Sequence, residues 1–201
     1  MPVGFSDVAV CNMALSHVGS STVIESLTEN SKAAKSCKRW FRAARISTLE
    51  AYNWSFARKS EALATHSVDA PTNRWAYRYQ WPSDCVAPRF IENPAGRDAN
   101  AVPFDSENAG DGTKSIVTDL DDAVLIYTFD LENIVSFSMH GILMLSYQLG
   151  AFINYEMNGK PETRTWLQKM FNEMAVVAPT TDSASYIPDE ERDASWIRDR
   201  S

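Results

Sequence analysis

The sequence predicts an α+β fold that is mainly helical, a bundle of about four helices plus an inserted β-lobe with a small antiparallel sheet. Three observations lead there. Apolar residues recur at helical spacing in two early and two late segments. Between them Trp75, Tyr77, Tyr79 and Trp81 alternate with Ala76, Arg78 and Gln80, the two-residue period of a strand. The stretch from Asn93 to Lys114 is rich in Gly, Pro, Asn and Asp, the composition of turns and an exposed loop.

Each element has its own signal. The first helix, about 6–18, starts at Ser6, a good N-cap, carries Val8, Cys11, Leu15 and Val18 at helical spacing, and stops at Gly19. The second, about 31–52, is capped by Asn30 or Ser31, with Ala33, Ala34, Cys37, Trp40, Phe41, Ala44, Leu49 and Tyr52 as its core face. A β-lobe is expected over about 54–130, with strands at Phe56 to Ala64, at Trp75 to Trp81 and at Ala123 to Phe129. An uncharged helix, about 136–157, has the small residues Gly141, Ser146 and Gly150 where neighbouring helices approach. Pro161 opens a last helix, about 161–177, whose buried face is Trp166, Leu167, Met170, Phe171 and Met174. One domain, 1–178, is followed by a polar arm, 179–201, in which Trp196 and Arg198 are the residues expected to dock on a neighbouring molecule.

Composition excludes several functions. A net charge of −7 and a pI near 5.0 do not suit a surface that grips nucleic-acid phosphates. Cys11, Cys37 and Cys85 are odd in number and lie in no zinc or redox spacing, so they are expected to be buried free thiols. The segment from Asn133 to Tyr155 has no charged residue, yet Asn133, His140, Gln148 and Asn154 interrupt it and the acids Glu132 and Glu156 flank it. That pattern fits a central core helix better than a membrane span. The N-terminus lacks the basic and apolar regions of a secretory signal, so folding in a reducing cytoplasm is expected.

Motifs for catalysis are absent. His17, His66 and His140 lie near no nucleophile elbow, Asp119, Asp121 and Asp122 lack EF-hand spacing, and Gly110 and Gly112 are not followed by a P-loop Lys. No enzyme activity, catalytic residue, metal or other cofactor is therefore expected. One enzymatic alternative stays open: the aromatic strand, with the nearby acids Asp84 and Glu92, as the site of a carbohydrate-binding protein or polysaccharide hydrolase. Four large aromatics on one face are more commonly a core wall.

The charges are unevenly placed. Lys32, Lys35, Lys38, Arg39, Arg42 and Arg45 fall on the second helix with no acid among them, a basic stripe opposite its apolar face. From Asp98 to Glu132 the chain is acidic, with Asp119, Asp121 and Asp122 at its centre and Lys114 as its one base. Two such faces are either plain solvated surface or the two halves of a head-to-tail subunit contact.

The block from Cys11 to Gly19 (CNMALSHVG) is followed by Ser26-Leu27, Asn30-Ser31 and Cys37, then by YNWSFA from Tyr52 to Ala57 and WAYRYQWPSDC from Trp75 to Cys85. In this order they resemble the tail tubular protein A family of podoviruses, the head-to-tail adaptors (connectors) of short-tailed bacteriophages. The resemblance covers about the first 90 residues well and returns in the last helices and in SWIR from Ser195 to Arg198. It implies a structural virion protein of the head-tail junction, a homo-oligomeric, dodecameric ring between the portal protein and the tail nozzle or tubular protein. It also implies a lumen through which double-stranded DNA passes during genome ejection without sequence-specific binding.

Overall fold

The computed structural model describes residues 5–67, 74–96, 100–157 and 159–182, with side chains up to 176. Its architecture is α+β: four helices and two three-stranded antiparallel sheets. The first helix, α1 (Asp7–His17), starts where the Ser6 hydroxyl accepts from the Ala9 amide at 3.1 Å. The second, α2 (Lys32–Ala51), is capped the same way by Ser31 on the Ala34 amide at 3.1 Å. Both begin one residue inside the expected bounds, as a cap requires.

The uncharged segment forms α3 (Met139–Met157), preceded by a short 3-10 turn at Ile134–Ser136. It lies at the centre of the bundle, packed on α1, α2 and α4 (Pro161–Asp182). Its polar residues explain why it is a core helix. Ser146 meets His17 of α1 at 3.1 Å, Gln148 donates to Ser47 of α2 at 2.9 Å, and His140 reaches the Met174 carbonyl of α4 at 2.9 Å. Among the described residues no helix is long and apolar enough to cross a membrane.

Gly150 does what a small residue was expected to do, since a Cβ there would stand 3.3 Å from Leu167 of α4 and 3.4 Å from the Ala14 carbonyl of α1. Gly141 instead makes room for rings from outside the helices, Phe56 and Phe137. Helix α4 runs past Pro179, where the arm was expected to begin, to Asp182. Its inner face is Leu167 and Phe171, with Met174 partly buried against the same core, while Trp166 is 46% exposed and touches Tyr147 edge-on.

Between α2 and α3 the chain builds the lobe. After a 3-10 turn at Ser55–Ala57 come β1 (Arg58–Ala62), β2 (Tyr77–Gln80), β3 (Cys85–Ile91), β4 (Phe104–Asn108), β5 (Lys114–Thr118) and β6 (Val124–Phe129). One sheet has the order β1-β6-β3 and the other β2-β5-β4. Isolated bridges at Thr65–Tyr79 and Ile91–Val102 join them at both sides, so the circuit of pairing closes around a second core of Tyr79, Ile91, Ile116, Ala123, Leu125 and Tyr127.

The sequence reading found β1, β2 and β6 and missed β3, β4 and β5. Strand β3 contains Pro88, tolerated because the strand is at the edge of its sheet and the register shifts on both sides of that proline. Strand β4, FDSEN, is mostly polar because it is the exposed edge of the other sheet, and it lies inside the stretch expected to be loop.

Two arginines fix the lobe to the bundle. Arg89 of β3 donates to the Leu49 and Tyr52 carbonyls at 2.9 and 2.6 Å, at the C-terminal end of α2, and to Thr128 of β6 at 2.8 Å. Arg45 of α2, its side chain only 8% exposed, bonds Asp130 just after β6 at 2.8 Å.

Candidate functional site

The basic stripe of α2 does not survive intact as a contact surface. Arg45, expected on an intersubunit face, is buried, and its guanidinium pairs within the chain with Asp130 and, at 3.8 Å, with Glu132. Arg42 also reaches Asp130, at 3.4 Å, and Arg39 pairs with Glu156 of α3 at 2.9 Å, though both arginines keep most of their side-chain surface in water. The Trp40 indole N–H donates to the same Glu156 oxygen at 3.1 Å and, with Ser36 and Arg39, holds that carboxyl below its ordinary range. Lys32, Lys35 and Lys38 are exposed and make no ion pair among the described residues.

The acidic group stands at a lobe tip, in the turn between β5 and β6. Asp119 accepts from the Ala76 amide at 2.9 Å, Asp121 from the Asp122 amide at 2.9 Å, and Asp122 takes a left-handed φ of 49°. All three are exposed, and no ion pair involves them among the described residues.

The elements that carry the two charged groups meet at Arg45 and Asp130. Lys35 is ten residues from Arg45 along α2, about 15 Å at the helical rise. Asp122 is eight residues from Asp130 through β6, about 26 Å at the rise of a strand. Neither group has an ion partner among the described residues.

No family model matches the chain, and no curated protein matches it. The assignment of function therefore rests on these residues and on the motif order in the sequence. Trp196 and Arg198 lie outside the described residues.

The aromatic strand is a wall of the second core. Tyr79 is 2% exposed and Tyr77 and Trp81 pack beside it. On its other face Arg78 is also buried, held by Ser115 at 2.7 Å and Glu107 at 3.1 Å. Asp84 and Glu92 sit at opposite ends of β3, about 26 Å apart by strand rise, beyond the roughly 5–10 Å that two glycosidase carboxylates need.

Asp84 instead joins a cluster that the sequence did not reveal, because its members come from β1, β6 and the turn before β3. Lys59 bridges Glu61 and Asp84 at 3.0 Å each, and the Tyr127 hydroxyl lies 2.8 Å from each of the same carboxylates. Burial pushes the Asp84 carboxyl up, but the bonds from Lys59 and Tyr127 outweigh it and leave it below its ordinary range. Lys59 lowers Glu61 in the same way. Both carboxylates are thus held ionised, and an acid–base pair needs one of them protonated.

The histidines are structural. His17, in the last turn of α1, is half-buried, stacks on Tyr147 at 4.6 Å, and burial lowers its pKa. Ser146 donates to the Leu143 carbonyl at 2.7 Å, which leaves its oxygen to accept from His17 and places the imidazole proton on Nε2. His66 contacts Thr113 at 3.0 Å beside Asp111. A surface cleft of about 780 Å³ at the α3–α4 turn is lined by Asn154, Tyr155, Arg164, Gln168, Lys169 and Glu173, with no Ser–His or Cys–His pair.

Proposed function

We propose that the chain is a structural subunit of a short-tailed phage virion: a head-to-tail adaptor that forms a homo-oligomeric ring between portal and tail nozzle and borders the DNA ejection channel. The observation that carries this reading is the segregation of charge. Lys32, Lys35 and Lys38 on α2 and Asp119, Asp121 and Asp122 at a tip of the β-lobe have no ion partners among the described residues. A ring is built from heterologous contacts between two different patches, and complementary charge sets their register. The order of motifs from Cys11 to Cys85 supports the adaptor reading, and the resemblance supplies the dodecameric count.

The acidity of the chain suits a channel role, because a wall poor in positive charge does not hold passing phosphates. The central helix α3, packed on three others, supplies the stiffness that a load-bearing ring needs. The test is a charge swap. Lys32→Glu/Lys35→Glu/Lys38→Glu is expected to stop assembly, as is Asp119→Lys/Asp121→Lys/Asp122→Lys, while a chain carrying both sets assembles again. If both triple variants assemble like the unmodified chain, these faces are not the contact.

A further inference from the structure

Ion pairs between exposed side chains hold a contact weakly, because water already solvates both charges and salt screens them. Stable interfaces set a dry apolar centre inside a polar rim, commonly with an aromatic side chain as anchor. The β-lobe carries such a centre beside its acidic tip. Strand β6 leads away from that tip, and its alternation sends Leu125 and Tyr127 into the second core and Val124 and Ile126 to the opposite face. Across the ladder Ile126 pairs with Phe90 of β3, and Val124 pairs with Ala62 of β1. These four residues therefore share the outer face of the β1-β6-β3 sheet. Ile91, next to Phe90, points inward and is 2% exposed, whereas Phe90 is 43% exposed, the one large apolar side chain so open among the described residues of the lobe. Val124 and Ile126 are half-buried and Ala62 is exposed.

This strip has an acidic end. Asp122 is two residues before Val124, within about 7 Å by strand rise. The Glu92 amide donates to the Val124 carbonyl at 2.9 Å, which brings Glu92 to the same end. Asp121, Asp122 and Glu92 are exposed, and none is in an ion pair among the described residues. The complementary cover is a surface of apolar stems tipped with positive charge. Lys32, Lys35 and Lys38 form one on α2: they are exposed, recur every third residue, and extend over about 9 Å of helix. Ile126 is four residues from Asp122, about 13 Å by strand rise, a span that one such row of stems and ammonium groups bridges.

We propose that a second copy of this chain docks the lysine face of its α2 on this outer sheet face, with Phe90 as the buried anchor and Val124, Ile126 and Ala62 around it. The inference rests on the head-to-tail reading of the proposed function and gives that charged contact its dry centre. The lysine stems lie over Phe90 and Ile126, and the ammonium groups reach the acidic tip and Glu92. One copy uses its sheet face and its neighbour uses its helix face, so the contact repeats around a ring.

The test places a photoreactive benzophenone analogue of phenylalanine at position 90 of the full-length protein. Equal amounts of this chain and of isotope-labelled unmodified chain are mixed with the portal protein, irradiated, digested and weighed by mass spectrometry. The expected product joins position 90 of one isotopic form to residues 32–38 of the other. No crosslink between copies, or one to a different segment only, overturns the proposal. Two variants test the apolar centre by light scattering. Phe90→Ser is expected to raise the concentration needed for half-maximal assembly about tenfold, at low and at high salt alike, since apolar burial is not screened. Ala62→Lys, at an exposed site on an edge strand, should keep the melting temperature of the unmodified chain and weaken assembly by setting a like charge against the lysine face. Rings that need Lys32, Lys35 and Lys38 but are indifferent to both of these variants overturn this inference and leave the ring reading standing. A chain whose copies make no contact, by scattering or by crosslinking, overturns both.

Discussion

Replacing Asp130 by Ala tests how the β-lobe is held to the helical bundle. The Arg45 side chain is 8% exposed and that of Asp130 20%, and they bond at 2.8 Å where α2 meets the end of β6. Removing the carboxylate leaves a buried guanidinium whose nearest remaining acid is Glu132 at 3.8 Å, on a side chain 80% exposed. Breaking a fully buried pair costs roughly 3–5 kcal/mol; the partial exposure of Asp130 reduces this to about 2–3 kcal/mol. For a chain of this size that is a fall of roughly 5–10 °C in melting temperature. Urea unfolding followed by tryptophan fluorescence and thermal melting by circular dichroism both read it. Arg45→Met, which removes the charge along with its need for a partner, is expected to cost less than Asp130→Ala, and the double variant less than the sum. A loss below about 0.5 kcal/mol for Asp130→Ala would refute the reasoning, since that is the range of an ordinary surface substitution.

Two further outcomes follow from α3 and its neighbours. Gly150→Leu drives a side chain against Leu167 and the Ala14 carbonyl and should cost about 3 kcal/mol by overpacking, read as a shifted urea midpoint. His17, whose folded pKa is depressed by burial, should make stability pH-dependent. As pH falls below 6.5, the ordinary value of an imidazole, the unfolded chain takes the proton first, so stability present above that pH is lost on acidification until the folded imidazole also titrates. Urea midpoints from pH 7.5 down to pH 5.5 should drop more for the unmodified chain than for His17→Gln; equal slopes would show that His17 does not contribute.

Where the sequence carried strong periodic signals, the fold was legible. Ser6 and Ser31 marked two helix starts, and the uncharged run before Glu156 marked α3, because caps and apolar spacing are local properties. Strands β3, β4 and β5 were not legible. Pro88 and the polar residues of β4 belong to sheet edges, and an edge is defined only by which strands fail to pair further. The charged site was half legible. The basic residues of α2 could be read as one stripe, but the burial of Arg45 depends on Asp130, 85 residues away, and nothing near Arg45 in the sequence announces it.

The central claim is that the chain assembles head to tail into a ring on a portal. Light scattering and negative-stain electron microscopy of the protein, alone and mixed with its portal protein, test it most directly. The account predicts closed rings of uniform diameter on the portal, lost when Lys32, Lys35 and Lys38 are reversed in charge and weakened as salt rises. A chain that stays monomeric beside its portal at low salt, or rings indifferent to both charge reversal and salt, would contradict it.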